Sequence, residues 1–226
     1  YLSQEFAGLH QQWQKIQRNI ELIGRGEEGE LRIGFVGSAM QAVIASALVR
    51  LNRSHPGIHT NLQEITNQAQ IESVLRQKLD AGFIRTEHLP AGIASKMVLE
   101  ENFCLVLPED HWTTADKFRA LSELKNEKFI FFGTRYSPDY YDLIWSIFSD
   151  EGFAPEISHR SVHAATIYKL VESHLGIAIV PKSLTHGFDF GVKFIELDQI
   201  RQKTRLYLIW KMENRDELLD NFIKLF

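Results

Sequence analysis

The sequence predicts an α/β fold of two lobes in series, preceded by an N-terminal helix. Three observations carry that reading. Short apolar runs alternate with helical periodicity over residues 31–85, the pattern of a parallel sheet with helices on its faces. The same alternation restarts after Pro108 and continues to Thr204. Two further apolar strands, at 103–107 and 205–210, stand at the switch between the units. Two α/β units with two crossing strands describe a clamshell.

The first element is a heptad seam. Leu2, Phe6, Leu9, Trp13, Ile16, Ile20 and Ile23 are spaced alternately four and three apart, with polar residues such as Gln11, Gln12, Gln14 and Lys15 between them. That spacing places them on one side of a helix. Gly24-Arg25-Gly26-Glu27-Glu28-Gly29 then breaks the helix. The helix is either an arm that pairs with another chain or a helix packed on its own domain. So narrow a seam suits a coiled coil better than a globular core.

In the first unit, residues 31–36 form a strand and Ser38 sits at the N-cap position of a helix. Met40, Val43, Ile44, Ala47, Leu48 and Leu51 follow at helical spacing. His55-Pro56-Gly57 ends that helix with turn chemistry. Residues 58–65 read as a second strand. Thr66 and Asn67 lead into a helix carrying Ile71, Val74, Leu75 and Leu79, and residues 81–85 are a third strand.

The second unit opens with the strand 103–107, stopped by Pro108, and a strand at 129–132. Ser137 and Pro138 fit the N-cap and first position of a helix with Ile144, Trp145 and Phe148 inward. Gly152 suits its C-terminal end. A strand at 157–162, a helix with Ile167, Leu170 and Val171, and a buried strand at 177–181 follow, with Gly176 between helix and strand. Strands at 192–197 and 205–210 precede the last helix, which opens with Asn214 as N-cap and Glu217 as its capping-box partner.

The totals bound the class. The chain has 226 residues, 44% hydrophobic and 24% charged, which is ordinary for a globular protein. No apolar run approaches the length of about 18 residues that a membrane helix needs. The first residues carry no apolar core of a signal peptide. The one cysteine, Cys104, lies in an apolar strand and reads as a buried small hydrophobe. These features point to the cytoplasm. Net charge is −4 and the basic residues are scattered, so no nucleic-acid-binding surface is legible in these residues.

Enzyme signatures are missing. Gly34-Phe35-Val36-Gly37-Ser38 is not a nucleophile elbow. No G-x-G-x-x-G follows a strand and no Walker lysine occurs. His159 and His163 are four apart but straddle a strand-to-helix turn, so they share no helix face for a metal. The sequence therefore predicts no catalytic centre, no metal site and no cofactor.

What remains is a binding architecture. In open α/β sheets ligands sit beyond the carboxyl ends of the strands, beside helix N-termini that favour anions. Ser38, Thr66 and Arg85 follow the three strands of the first unit, and Gly133 and Thr134 follow residues 129–132 of the second. Ser38 and Thr66 read as helix caps or as ligand contacts. Arg85 reads as a surface charge or as a forked donor for a carboxylate. Their convergence on one cleft favours the ligand reading.

These residues together resemble a known family. Gly29-Glu30-Leu31-Arg32-Ile33-Gly34 with Ser38, then His55-Pro56-Gly57-Ile58, look like the opening of the effector-binding domain of LysR-type transcriptional regulators. Leu79-Asp80-Ala81-Gly82-Phe83-Ile84-Arg85, Leu105-Val106-Leu107-Pro108 with His111, and Glu151-Gly152-Phe153-Ala154-Pro155 continue the match. Leu175-Gly176-Ile177-Ala178-Ile179-Val180-Pro181 completes it. Each motif is weak alone; their order and spacing carry the identification.

The resemblance implies two Rossmann-like subdomains joined by two crossover strands, a periplasmic-binding-protein-like clamshell with a small-molecule effector in its cleft. It assigns residues 1–28 to a linker and dimerisation helix with its hinge, 29–104 and 205–226 to one subdomain, and 105–204 to the other. It implies a homo-oligomer, dimer or tetramer, in which residues 39–54 of one subunit meet roughly 163–174 of another. DNA is contacted only through a winged helix-turn-helix expected before Tyr1, and no membrane is involved. Ser38 and Thr66 align with positions that commonly contact effector. The chain departs from the family pattern at Val43-Ile44, where Leu-Pro is frequent, and at Ser173-His174, where a glycine is frequent. A solute-binding protein of a transporter shares the clamshell; it predicts a signal peptide before residues 31–36 instead of a heptad helix. An α/β enzyme would use the same cleft but lacks its constellation.

Overall fold

The computed structural model describes residues 10, 13, 14, 16–18, 20–22, 24–134, 138–213 and 216–226. The described residues between 10 and 24 are helical up to Gly24. Trp13, Ile16 and Ile20 of the seam are exposed, so at these positions the seam is not packed on the chain's own domain. Leu2, Phe6, Leu9 and Ile23 lie outside the described residues.

Two five-stranded sheets follow. The first is built from β1 (Glu28–Phe35), β2 (Gly57–Glu64), β3 (Ala81–Ile84), β4 (Ile93–Glu101) and β10 (Thr204–Lys211), in the order β2-β1-β3-β10-β4. The second holds β5 (Phe103–Pro108), β6 (Lys128–Phe132), β7 (Glu156–Ser161), β8 (Ile177–Pro181) and β9 (Val192–Leu197), in the order β7-β6-β8-β5-β9. β1 pairs parallel with β2 and β3, and β6 pairs parallel with β7 and β8. Each sheet has one strand running against its neighbours: β10 in the first and β5 in the second. Both have just crossed from the other lobe, so no covering helix turned them round. The crossings fall at Asn102 and between Leu197 and Thr204.

The helices follow the strands they cover. α1 runs from Gly37–Ala39 through a π-helical stretch, Met40–Ile44, into Ala45–Ser54. α2 is Asn67–Leu75, α3 Pro138–Asp150, α4 Ala164–Glu172 and α5 Glu217–Ile223. Apolar faces of α1 and α5 close one side of the first sheet over Leu31, Ile33, Phe83 and Leu208. In the second lobe α3 packs Ile144, Ile147 and Phe148 on Phe129 and Phe131. α4 covers the other side with Ile167, Tyr168 and Val171. α2 and the segment that follows it lie so close to the first sheet that a Cβ on Gly34 would meet Gln70 of α2 at 2.9 Å and Leu79 at 2.6 Å.

Several local expectations need correction. Ser38 is not the cap of α1: the helix begins at Gly37, Val36 is its N-cap, and no side chain caps it. The cap of α5 is Asp216, whose carboxylate accepts from the Leu219 N–H at 2.8 Å; Asn214 lies outside the described residues, as does Ser137. Thr66 does cap α2, accepting from Ala69 N–H at 3.2 Å. β4 was not legible in the sequence. It is an edge strand with Ser95, Lys96 and Met97 exposed, so neither a full apolar run nor clean alternation marks it. Cys104 is buried as expected, and burial pushes its thiol up to about 12. Among the described residues, no helix is long and apolar enough to cross a membrane.

Candidate ligand-binding site

The parallel strands of both sheets end at one cleft. A cavity of about 420 Å³ lies there. From the first lobe it takes Phe35 to Ser38 at the end of β1 and start of α1, Met40 and Gln41 on α1, Glu64 at the end of β2, and Arg85 just after β3. From the second it takes Phe132 at the end of β6, Val162 and His163 between β7 and α4, Ala164 and Ala165 in the first turn of α4, and Pro181 at the end of β8. Tyr140, Leu184 and Phe188 complete an apolar and aromatic wall. A ligand held here loses water on most sides, so its polar groups need partners inside the cavity.

Ser38 and Arg85 are brought together. The Arg85 Nε donates to Ser38 Oγ at 2.8 Å. Nη1 donates to Thr204 Oγ1 at 2.9 Å, and Nη2 to Glu101 Oε1 at 2.5 Å. Nη2 also lies 3.4 Å from Ser183 Oγ, and the backbone N–H of Arg85 reaches Asn67 Oδ1 at 3.1 Å. Burial pushes the guanidinium below its ordinary value, and Glu101 draws it back up. The forked donor read from the sequence is thus committed inside the protein. Its charge is balanced by Glu101 and its role is to hold Ser38. Having accepted from Arg85, the Ser38 hydroxyl can turn its own hydrogen into the cavity.

The other three sequence-predicted positions do not line the cavity. The Thr66 hydroxyl oxygen caps α2, outside the cavity lining. The Gly133 N–H donates to Ser161 O at 2.9 Å, tying the loop to β7. Thr134 is exposed. In their place the structure supplies groups that the sequence did not single out as ligand contacts. The N-cap of α4 is His163, with no side-chain hydrogen bond on the helix start. The first-turn N–H groups at Ala164 and Ala165 therefore border the cavity uncapped, where an anion is favoured. Glu64 and His163 could have been found by the same strand-end rule that found Ser38. Tyr140, Leu184 and Phe188 could not, since helix and loop positions reach the cleft only through packing.

The two lobes touch around this cavity. Glu101 Oε2 accepts from the Ser183 backbone N–H at 2.6 Å, and Oε1 from its hydroxyl at 2.9 Å. Thr86 donates to Asp139, and His88 Nδ1 stands 3.6 Å from the same carboxylate. Glu64 Oε1 lies 3.8 Å from His163 Nδ1. Tyr140 donates to Ile179 O at 3.1 Å, and burial pushes its phenol well above the ordinary value. Tyr140 is therefore a neutral donor at the wall. Among the described residues, no group of three or more His, Cys, Asp and Glu could hold a metal ion.

Comparison with known proteins places this geometry. The LysR substrate binding domain family matches residues 24–226. The HTH-type transcriptional regulator YnfL of Escherichia coli (strain K12) is 28% identical over 191 residues, which cover 84% of this chain and 64% of YnfL. The chain thus spans less than two thirds of that relative's length. CbnR, a LysR family transcriptional regulator of known structure, has the same fold: its TM-score is 0.86 at 20% identity, covering 98% of this chain and 77% of CbnR. The BenM effector binding domain with its effector benzoate gives a TM-score of 0.77 at 24% identity, covering 87% of this chain and 89% of that one.

Proposed function

The chain belongs to the LysR substrate binding domain family, and from that premise we propose that it is the effector-sensing part of a LysR-type transcriptional regulator. The observation that carries this is the cavity between the lobes, walled by apolar side chains and bordered by two helix starts without side-chain caps. The effector is a small molecule with an anionic, carboxylate-like end, held by the Ser38 hydroxyl and the first turn of α4. The BenM domain, whose effector is benzoate, supports that chemistry. Arg85 is a positioning residue for Ser38 and not a direct anion donor. The subdomains divide at the two crossings, near Asn102 and just before Thr204.

The effector acts by changing the angle between the lobes. It shifts that equilibrium only by its difference in affinity for the open and closed arrangements. The Glu101–Ser183, Thr86–Asp139 and Glu64–His163 contacts are the joints that the shift loosens or tightens. The helix before Gly24 carries the change to a DNA-binding domain and pairs subunits into a dimer or tetramer, as the exposed Trp13, Ile16 and Ile20 favour. The protein works in the cytoplasm and is a sensor, not an enzyme. Family membership favours this over a transporter's solute-binding protein.

The test is a thermal-shift screen of small carboxylates on the chain and on Ser38→Ala. A ligand present at 100 times its Kd stabilises by about 2.7 kcal/mol, and Ser38→Ala is expected to lose most of that shift. A hit that binds Ser38→Ala as tightly as the wild type overturns the assigned site. An intact regulator whose DNA binding or transcription ignores every hit overturns the sensor reading.

A further inference from the structure

The polar groups of the cavity wall are unequally engaged. Arg85 is committed to Ser38, Thr204 and Glu101. Tyr140 spends its hydrogen on Ile179 O. Gln41 differs. It stands exposed at the rim of the cavity, and among the described residues its carboxamide has no hydrogen-bond partner. The amide nevertheless reaches across the cleft. It lies on the bare face of Gly187 in the second lobe, where a Cβ would come within 2.8 Å of Oε1 and 3.2 Å of Nε2. A ligand that fills the cavity takes water from this amide. Covering its donors and acceptor without replacing those bonds costs affinity, so the ligand that fits best brings a partner.

The helix sets where that partner must be. Ser38 and Gln41 are three positions apart on α1, so they share a face and stand about 4.5 Å apart along the axis. Gln41 also lies in the π-helical stretch Met40–Ile44, whose wide turn is closed by the Ala45 N–H on Met40 O. Such turns are frequent at functional sites, and both Met40 and Gln41 line this cavity. We propose, resting on the sensor reading above, that Gln41 is a specificity-determining residue. Its Nε2 donates to an oxygen of the effector about one helical turn from the carboxylate held at Ser38. The effector is therefore a small acid with a second oxygen function, a hydroxyl or carbonyl, at the far end of an apolar frame. That frame packs against Phe35, Phe132, Leu184 and Phe188. An acid with a plain hydrocarbon frame covers the same amide and gives it nothing in return.

Matched acids test it. The 226-residue chain is titrated by calorimetry with benzoate beside meta- and para-hydroxybenzoate, and with cyclohexanecarboxylate beside its hydroxy and oxo derivatives. At least one oxygenated acid is expected to bind about tenfold more tightly than its parent, the upper worth of one neutral hydrogen bond. Gln41→Leu and Gln41→Met keep the bulk and remove the amide. Each is expected to bring that ratio of affinities to about one, and melting of the free variants checks that they fold. Ser38→Ala should weaken the parent and its derivative together and leave the ratio in place. A preference that survives in both Gln41 variants overturns the assignment. Parent acids that bind the wild type as tightly as all their derivatives also overturn it, while leaving the anion-binding sensor standing. A chain that binds none of the derivatives overturns it as well.

Discussion

Arg85 Nη2 stands 2.5 Å from Glu101 Oε1, with both side chains more than nine-tenths buried. The pair sits at the joint between the lobes, because the other Glu101 oxygen accepts from the Ser183 N–H of the second lobe. A buried ion pair gains little over an apolar replacement, but breaking one partner leaves a bare charge behind. This relationship turns what looks in sequence like a ligand donor into part of the frame.

Glu101→Ala is expected to destabilise the chain by about 3–5 kcal/mol, since Arg85 is left charged and unpaired. The double variant Glu101→Leu with Arg85→Met should lose much less than the sum of the single changes, because the residues act as one unit. Urea unfolding midpoints of the singles and the double decide it; simple additivity would show that the pair is not coupled.

Two helices end in the same hydrogen-bonded motif with a side chain where glycine is normal. After α4, Leu175 N–H donates to Leu170 O and His174 N–H to Val171 O, with His174 at φ 58°. After α2, Lys78 N–H donates to Ser73 O and Gln77 N–H to Val74 O, with Gln77 at φ 57°. α3 ends identically but with Gly152 at φ 75°. Left-handed backbone costs a non-glycine residue about 1–2 kcal/mol, partly offset by the greater entropy of glycine in the unfolded chain. His174→Gly and Gln77→Gly should each stabilise by about 0.5–1 kcal/mol, read as a rise in melting temperature. A fall would mean that side-chain contacts outweigh the backbone strain.

Acid should destabilise the chain through paired surface carboxylates. Arg201 holds Asp150 below its ordinary range, Lys182 does so for Glu196, Arg205 for Glu87 and Lys169 for Glu172. A carboxylate lowered by folding binds fewer protons folded than unfolded between its two values. Its contribution is full above the ordinary value of about 4 and is lost as pH falls through the lower folded value. Melting temperature should therefore hold from neutrality to about pH 5 and fall below about pH 4. High salt should blunt the fall, since these pairs are exposed; a profile insensitive to salt would locate the acid-labile groups elsewhere.

Filling the cavity should separate binding from folding. Ala165 lines the wall at the first turn of α4 and is only partly buried. Ala165→Trp should leave the melting temperature of the free chain within a few degrees, because the new ring occupies existing space. It should abolish the thermal shift given by any ligand the wild type binds. Retained ligand binding, measured by calorimetry, would place the ligand outside this cavity.

Much of the fold was legible because its signals are local. Pro138 begins α3, Thr66 caps α2 and Gly152 ends α3 by rules that involve only near neighbours. The edge strand β4 escaped because its exposed Ser95, Lys96 and Met97 break the apolar pattern. The cap of α5 was misread because Asn214 and Asp216 are both good caps, and only the chain's path selects Asp216. Of the five expected ligand positions, Ser38 and Arg85 line the cavity, and Thr66, Gly133 and Thr134 do not.

By itself the sequence determined the alternation of strands and helices, the two-lobed class and the strand ends where a ligand could sit. Those follow from hydrophobic period and turn chemistry, which act over a few residues. The tertiary structure alone decided which charges remain for a ligand. Arg85 meets Glu101 only when β3 and β4 lie on either side of β10, and Glu64 meets His163 only when the lobes close on each other. Charge pairing depends on distance in space, and residues 16 or 99 positions apart in the chain carry no local mark of the partner that will neutralise them.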